Sequence, residues 1–218
     1  MKTVSIFDVD HTLVRRSTGE YFLLSAARHG IVPWRLLLQV PFFVIKYRFG
    51  SYNSFEHTLL EKGIGPLEGV SAARLLEIAE YTFNGHVKKA IFPEMEALVR
   101  GHLNNGGRVV LATSSLDFIV APLAEYLGVS EIIASRLEVK DGLCTGCFTE
   151  TPVFGREKLA RVEEYLKHHG FSLEQASFYS DSIHDTPLLE KVGKPVVVNP
   201  DYRLHSLAKK KKWSVVYC

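Results

Sequence analysis

The chain has 218 residues, 46% of them apolar, and a net charge of +2 with its nine histidines neutral. That length suits one large domain or a core carrying an insertion, and the apolar share is enough for a full core. The near-balance of charge argues against a nucleic-acid partner. The three cysteines (Cys144, Cys147, Cys218) are too few and too odd in number for a disulfide framework, which favours a reducing cytoplasm.

The chain opens directly into a strand, with no secretory leader in view. Residues 3–7 are β-formers or neutral and read as a short buried strand. It ends at Asp8-Val9-Asp10-His11-Thr12. Two carboxylates one residue apart repel each other and resist burial unless a cation or hydrogen-bond donors sit between them. A hard cation such as Mg²⁺ meets that need, and a plain strand-end turn is the structural alternative.

From residue 14 to 85 the pattern is helical, with no strand signal. A first helix closes at Gly30. Pro33 opens a second over 34–45, apolar almost all round, flanked by Arg35, Lys46 and Arg48 and interrupted by Pro41. It is too short to span a membrane, which takes roughly 20 apolar residues, so it reads as a buried helix or a face for a membrane surface. Helices over 54–62 and 66–83 follow. Strands resume only after Pro93, behind a helix that stops at Asn104-Asn105-Gly106-Gly107.

Strand and helix then alternate. Strands are expected over 108–112, 132–134, 176–180, 195–198 and 214–217, with helices over 116–127 and 157–169. Lys140-Asp141-Gly142 marks a hairpin between 137–139 and 144–149. This alternation predicts an α/β fold: a three-layer, Rossmann-like core with a parallel sheet, formed by residues 1–13 and 86–218. Residues 14–85 form a helical cap inserted after the first strand. Ligands of such sheets lie at the carboxyl ends of the strands.

That rim gathers Asp8, Asp10 and Thr12, then Thr113, Ser114 and Ser115, then Lys158 at a helix start, then Asp181 through Asp185. Several carboxylates with one lysine and hydroxyls suit Mg²⁺ plus a phosphate, and a carboxylate there can act as nucleophile. Other polar residues have structural readings. Cys144 and Cys147 have metal-like spacing but no second pair. Lys209 to Lys212 read as a solvated helix end or a membrane-phosphate contact, His184 as a capping or packing residue, and Asp201 as an N-cap. Arg15 and Arg16, beside the rim, are either solvated or hold a substrate anion.

Asp8-Val9-Asp10-His11-Thr12 resembles the first signature of the haloacid-dehalogenase superfamily, Asp-x-Asp-x-Thr. Thr113 after an apolar strand resembles the second, Lys158 the third, and Tyr179-Ser180-Asp181-Ser182-Ile183-His184-Asp185 the fourth. The four stand in the family's order, and the helical insertion is similar to that of the phosphoserine phosphatase subgroup. The resemblance implies a Mg²⁺-dependent phosphomonoesterase. Asp8 would be nucleophile and metal ligand. Asp10 would be acid/base, with its carbonyl on the metal. Thr12 would orient Asp10, and Thr113, Ser114 and Lys158 would bind the phosphoryl group. Asp181 would be the second carboxylate on the metal and Asp185 a ligand or neighbouring acid. The dehalogenase branch does not need the second acid at Asp10.

The substrate implied is a small phosphorylated metabolite, but the chain departs from the phosphoserine pattern. Arg15, Arg16, Ser17 and Thr18 stand where a cap carboxylate is expected, and Glu20 is the nearest acid. Phe55 matches a cap Phe, Lys62 replaces an Arg, and Ser114 and Ser115 replace two glycines. The form of the fourth signature and the apolar cap also resemble phosphatidylglycerophosphate phosphatases, a lipid-phosphate alternative with membrane-peripheral placement. A phosphate-responsive binding module is the non-enzymatic alternative, and it would not need Asp10. Water and an alcohol both stand as acceptors of the phosphoryl group, and the oligomeric state is left open.

Overall fold

The computed structural model describes residues 3–39 and 64–218. The expected helix over 54–62, the second half of the one over 34–45, and the positions Phe55 and Lys62 fall outside the described residues. The elements are β1 (Val4–Phe7), α1 (Thr18–Arg28), α2 (Ala72–Thr82), α3 (Pro93–Asn104), β2 (Arg108–Leu116) and α4 (Asp117–Leu127). They continue as β3 (Glu131–Ser135), β4 (Leu137–Lys140), β5 (Leu143–Phe148), α5 (Arg156–His168), β6 (Ala176–Ser180), α6 (Thr186–Leu189), β7 (Lys194–Val198), α7 (Tyr202–Lys211) and β8 (Ser214–Val216). Trp34–Gln39, expected as α-helix, is a 3₁₀ helix.

The main sheet is β3-β2-β1-β6-β7-β8, and its neighbouring strands pair in parallel. This is the α/β parallel architecture that the alternation predicts. Strand pleating sends β1 to both faces. Val4 and Ile6 pack with Val162 and Leu166 of α5, Leu188 of α6 and Leu204 of α7. Phe7 packs with Met95 and Val99 of α3 and Val120 and Leu123 of α4. Strand order reverses at β1: β2 and β3 run to one side, β6 to β8 to the other. The crevice outside the β1 and β6 carboxyl ends is where such sheets place a ligand.

The segment between Leu13 and Phe92 leaves and returns at one point. The Arg15 N–H donates to the Ala90 carbonyl at 2.8 Å, and the Phe92 N–H to the Leu13 carbonyl at 2.9 Å. Helical turns continue after α2 through Phe83–Val87 and Lys88–Ala90 to that point. Phe22 and Ala26 of α1 pack with Leu75 and Ile78 of α2, and both helices reach Ile119 of α4 and Cys144 of β5. The β4–β5 hairpin turns through Asp141 (φ 51°) and Gly142 (φ 77°), the left-handed pair that a tight two-residue turn requires. Its second strand ties to the chain before α2, with Gly69 N–H to the Cys144 carbonyl at 2.8 Å and Cys144 N–H to the Val70 carbonyl at 2.9 Å.

Candidate active site

Asp8 follows the last residue of β1, and its N–H continues the ladder to the Tyr179 carbonyl of β6 at 2.9 Å. The two-residue pleat places it on the Ile6 side of the sheet, the side covered by α5. There the Lys158 ammonium meets Asp8 Oδ1 at 2.9 Å and Asp185 Oδ2 at 2.8 Å. All three side chains are nearly sealed from solvent. The Ser180 hydroxyl donates to the same Asp185 oxygen at 2.6 Å. Thr12, in the turn after β1, ties the first signature to the fourth. Its hydroxyl lies 3.4 Å from Asp8 Oδ2 and 3.3 Å from Asp181 Oδ1, and it accepts the Asp181 N–H at 3.0 Å.

Asp10 points elsewhere. Its Oδ1 accepts the Thr18 N–H at 2.7 Å and the Thr18 hydroxyl at 2.8 Å; its Oδ2 accepts the Ser17 hydroxyl at 3.3 Å. The carboxylate therefore caps the first turn of α1, where free N–H groups and the helix dipole favour negative charge.

Electrostatics explain why the buried acids need more than Lys158. Burial pushes the Asp8 carboxyl up to about 7 against the pull of Lys158, with Asp185 and Asp10 adding to the rise. Burial also raises Asp181 well above the carboxylate range, reinforced by Asp8 and Asp185. Burial lowers the Lys158 ammonium, but Asp185 and Asp8 outweigh it and the net shift is upward. One ammonium among three acids stays protonated while the acids remain short of positive charge. An oxygen-only donor set with surplus negative charge fits Mg²⁺. The side chains are not drawn into a ready cage, since no group of three acidic, His or Cys side chains among the described residues is in a metal-holding arrangement.

Residues 6–190 match the family model of the haloacid dehalogenase-like hydrolases. The chain belongs to that family. It is 31% identical over 221 residues to a histidinol-phosphatase of Neisseria meningitidis serogroup C (strain 8013), with 99% of each chain covered. A protein of unknown function from Bordetella pertussis Tohama I superposes with a TM-score of 0.86 at 29% identity, again over 99% of each chain. A substrate-bound phosphoserine phosphatase shares the fold, with a TM-score of 0.73 at 22% identity over 99% of this chain and 93% of that one.

Within this hydrolase the structure brings Asp8, Thr12, Lys158, Asp181 and Asp185 into one cluster. Thr113 is fully buried on β2 and accepts the Ser115 N–H at 3.1 Å. The strand was expected to end at 112, but it runs to Leu116, where it pairs with Ser135 across a bulge. Ser115, rather than Ser114, joins the acid network: its hydroxyl lies 2.9 Å from that of Thr18. The Ser114 carbonyl instead accepts from the Ser135 hydroxyl on β3.

Arg15 is not among the cluster's contacts; its guanidinium lies over the Phe92 ring, 4.6 Å from the centroid. Arg16 is exposed. The His184 ring packs at 5.1 Å from that of Phe154, and Asp201 caps α7 by accepting the Leu204 N–H at 2.8 Å. Cys144 is buried and Cys147 exposed. Lys209, Lys210 and Lys211 close α7, which runs back toward the amino ends of the strands, so this basic run lies at the far end of the sheet from the rim. Among the described residues no helix is long and apolar enough to cross a membrane. Sequence reasoning missed Ser17 and Thr18 as partners of Asp10, and Ser115 as a partner of Thr18. Ser17 followed by Glu20 is a helix-start signal, and it marks the turn that holds the acid.

Proposed function

We propose that this hydrolase cleaves small phosphate monoesters by a covalent route, with Asp8 as nucleophile and Asp10 as acid and then base. The observation that carries the reading is the sealed Asp8–Lys158–Asp185 array beside Asp181, with a second acid, Asp10, held apart from it. A phosphate-binding module has no use for that second, separately anchored carboxylate. Asp8 attacks phosphorus, the P–O bond to the alcohol breaks, and Asp10 gives the departing oxygen its proton. Asp10 then takes a proton from water as the water attacks the aspartyl-phosphate, releasing phosphate and restoring Asp8. Lys158 and the buried Thr113 bind phosphoryl oxygens, and Asp185 holds Lys158 in place. Asp8, Asp181 and the Asp10 carbonyl would hold Mg²⁺, which would offset the charge of the phosphoryl group and the acids.

Residues 14–85 are read as the cap over this rim. A small metabolite is favoured over a membrane-held lipid phosphate, because the basic run lies at the opposite end of the sheet. The full-length likeness to a protein named histidinol-phosphatase makes histidinol phosphate the first substrate to try, beside phosphoserine and a short-chain lipid phosphate. Asp8→Asn, a near-isostere, should abolish release of phosphate with the fold retained, and EDTA should stop the native enzyme until Mg²⁺ is returned. Undiminished turnover by the Asn variant would falsify the covalent assignment.

A further inference from the structure

We infer that Thr18 and Ser115 are positioning residues for the acid/base Asp10, a deduction that rests on the role proposed for Asp10 above. Asp10 is anchored by one oxygen. Oδ1 takes two short bonds from Thr18, through its N–H at 2.7 Å and its hydroxyl at 2.8 Å, whereas among the described residues Oδ2 takes only the longer Ser17 contact at 3.3 Å. Oδ2 is therefore the oxygen left for proton exchange with the leaving group and with water. Thr18 is completely buried, so its hydroxyl has no water to turn to.

Its own oxygen lies 2.9 Å from the Ser115 hydroxyl. Because the Thr18 proton goes to the carboxylate, the Ser115 proton goes to Thr18. The chain runs Ser115 to Thr18 to Asp10, each bond polarising the next. Ser115 also gives its N–H to the Thr113 hydroxyl at 3.1 Å. One residue of β2 thus ties the acid to the candidate phosphate-binding strand. Thr18 opens α1, so the same bonds join the acid to the first helix of the excursion.

The test separates an acid displaced from its leaving group from a generally damaged enzyme. Protonation matters for an alkoxide leaving group and little for p-nitrophenolate, which leaves without help. kcat/KM reports steps only as far as departure of the leaving group, so the later hydrolysis of the intermediate does not enter. Thr18→Val keeps the shape and the N–H but removes the hydroxyl. Its kcat/KM for an alkyl phosphomonoester should fall about 10- to 100-fold, as misplacing a catalytic group does. For p-nitrophenyl phosphate it should fall far less, and Thr18→Ser should restore most of the loss. Ser115→Ala should show the same asymmetry at smaller size, and it carries the test if Thr18→Val fails to fold. Equal losses on both esters, or no loss on the alkyl ester, would overturn the inference. A native enzyme that cleaves neither ester would instead overturn the phosphatase reading.

Discussion

Lys158 sits where a helix least favours a cation, at the third residue of α5, against the positive end of the helix dipole. Two carboxylates at 2.9 and 2.8 Å hold it there. Removing one member of such a buried pair leaves uncompensated charge and typically costs about 3–5 kcal/mol. Lys158→Met, similar in length but neutral, should therefore be destabilised by roughly that amount at pH 8. At pH 5 the loss should shrink, because Asp8, already raised by burial, takes up a proton in place of its ammonium partner. Urea midpoints at the two pH values measure this, and an equal loss at both would assign the damage to packing rather than charge. Asp8, Asp181, Asp185 and Lys158 were legible in the sequence because each sits at a strand end or helix start and the four stretches stand in the order of the family's signatures. Thr18 and Ser115 were not, since serine and threonine are ordinary at helix starts and strand ends. Only the fold shows that these two meet.

At the scale of elements, strands were legible where apolar runs were bounded by turn residues, as in 176–180 and the β4–β5 hairpin. The strand that ran longest past its expected end is β2. Its polar residues Thr113 to Ser115 imitate a loop, yet pairing of Leu116 with Ser135 keeps them extended. Tertiary pairing outweighed local composition there. The turn from α6 into β7 is equally silent in sequence. Gly193 lies so close to the Glu174 backbone that a Cβ would overlap its carbonyl, and its N–H donates to the Leu173 carbonyl at 3.0 Å. Backbone, unlike a flexible side chain, gives way only by moving the turn that carries it. Gly193→Ala should cost about 1–3 kcal/mol, seen as a Tm lower by roughly 2–12 °C for a chain of this size. An unchanged Tm would mean that the 173–175 turn shifts freely.

At the scale of the whole molecule, and among the described residues, the buried acids gather with Lys158 at the carboxyl rim, while the basic run that closes α7 lies at the opposite end of the sheet. The rim acids come from β1 and the β6 end, the middle of the sheet, so whatever relieves them stabilises the entire fold. The Asp8 carboxyl lies higher in the folded chain, at about 7, than in the unfolded one. The native state therefore binds the extra proton, and stability falls as pH rises from the ordinary carboxylate range through about 7. Under the proposed mechanism Mg²⁺ would replace that proton: bound to the ionised acids it would compete with protonation, so its contribution would grow in the direction in which the proton's is lost. Metal-free protein should lose Tm between pH 5 and pH 8, and saturating Mg²⁺ should raise Tm more at pH 8 than at pH 5. Asp8→Asn removes the carboxylate that titrates, so in that variant both the fall with pH and the excess Mg²⁺ effect at pH 8 should diminish. A Mg²⁺ increment equal at the two pH values in the native chain would place metal binding away from these acids.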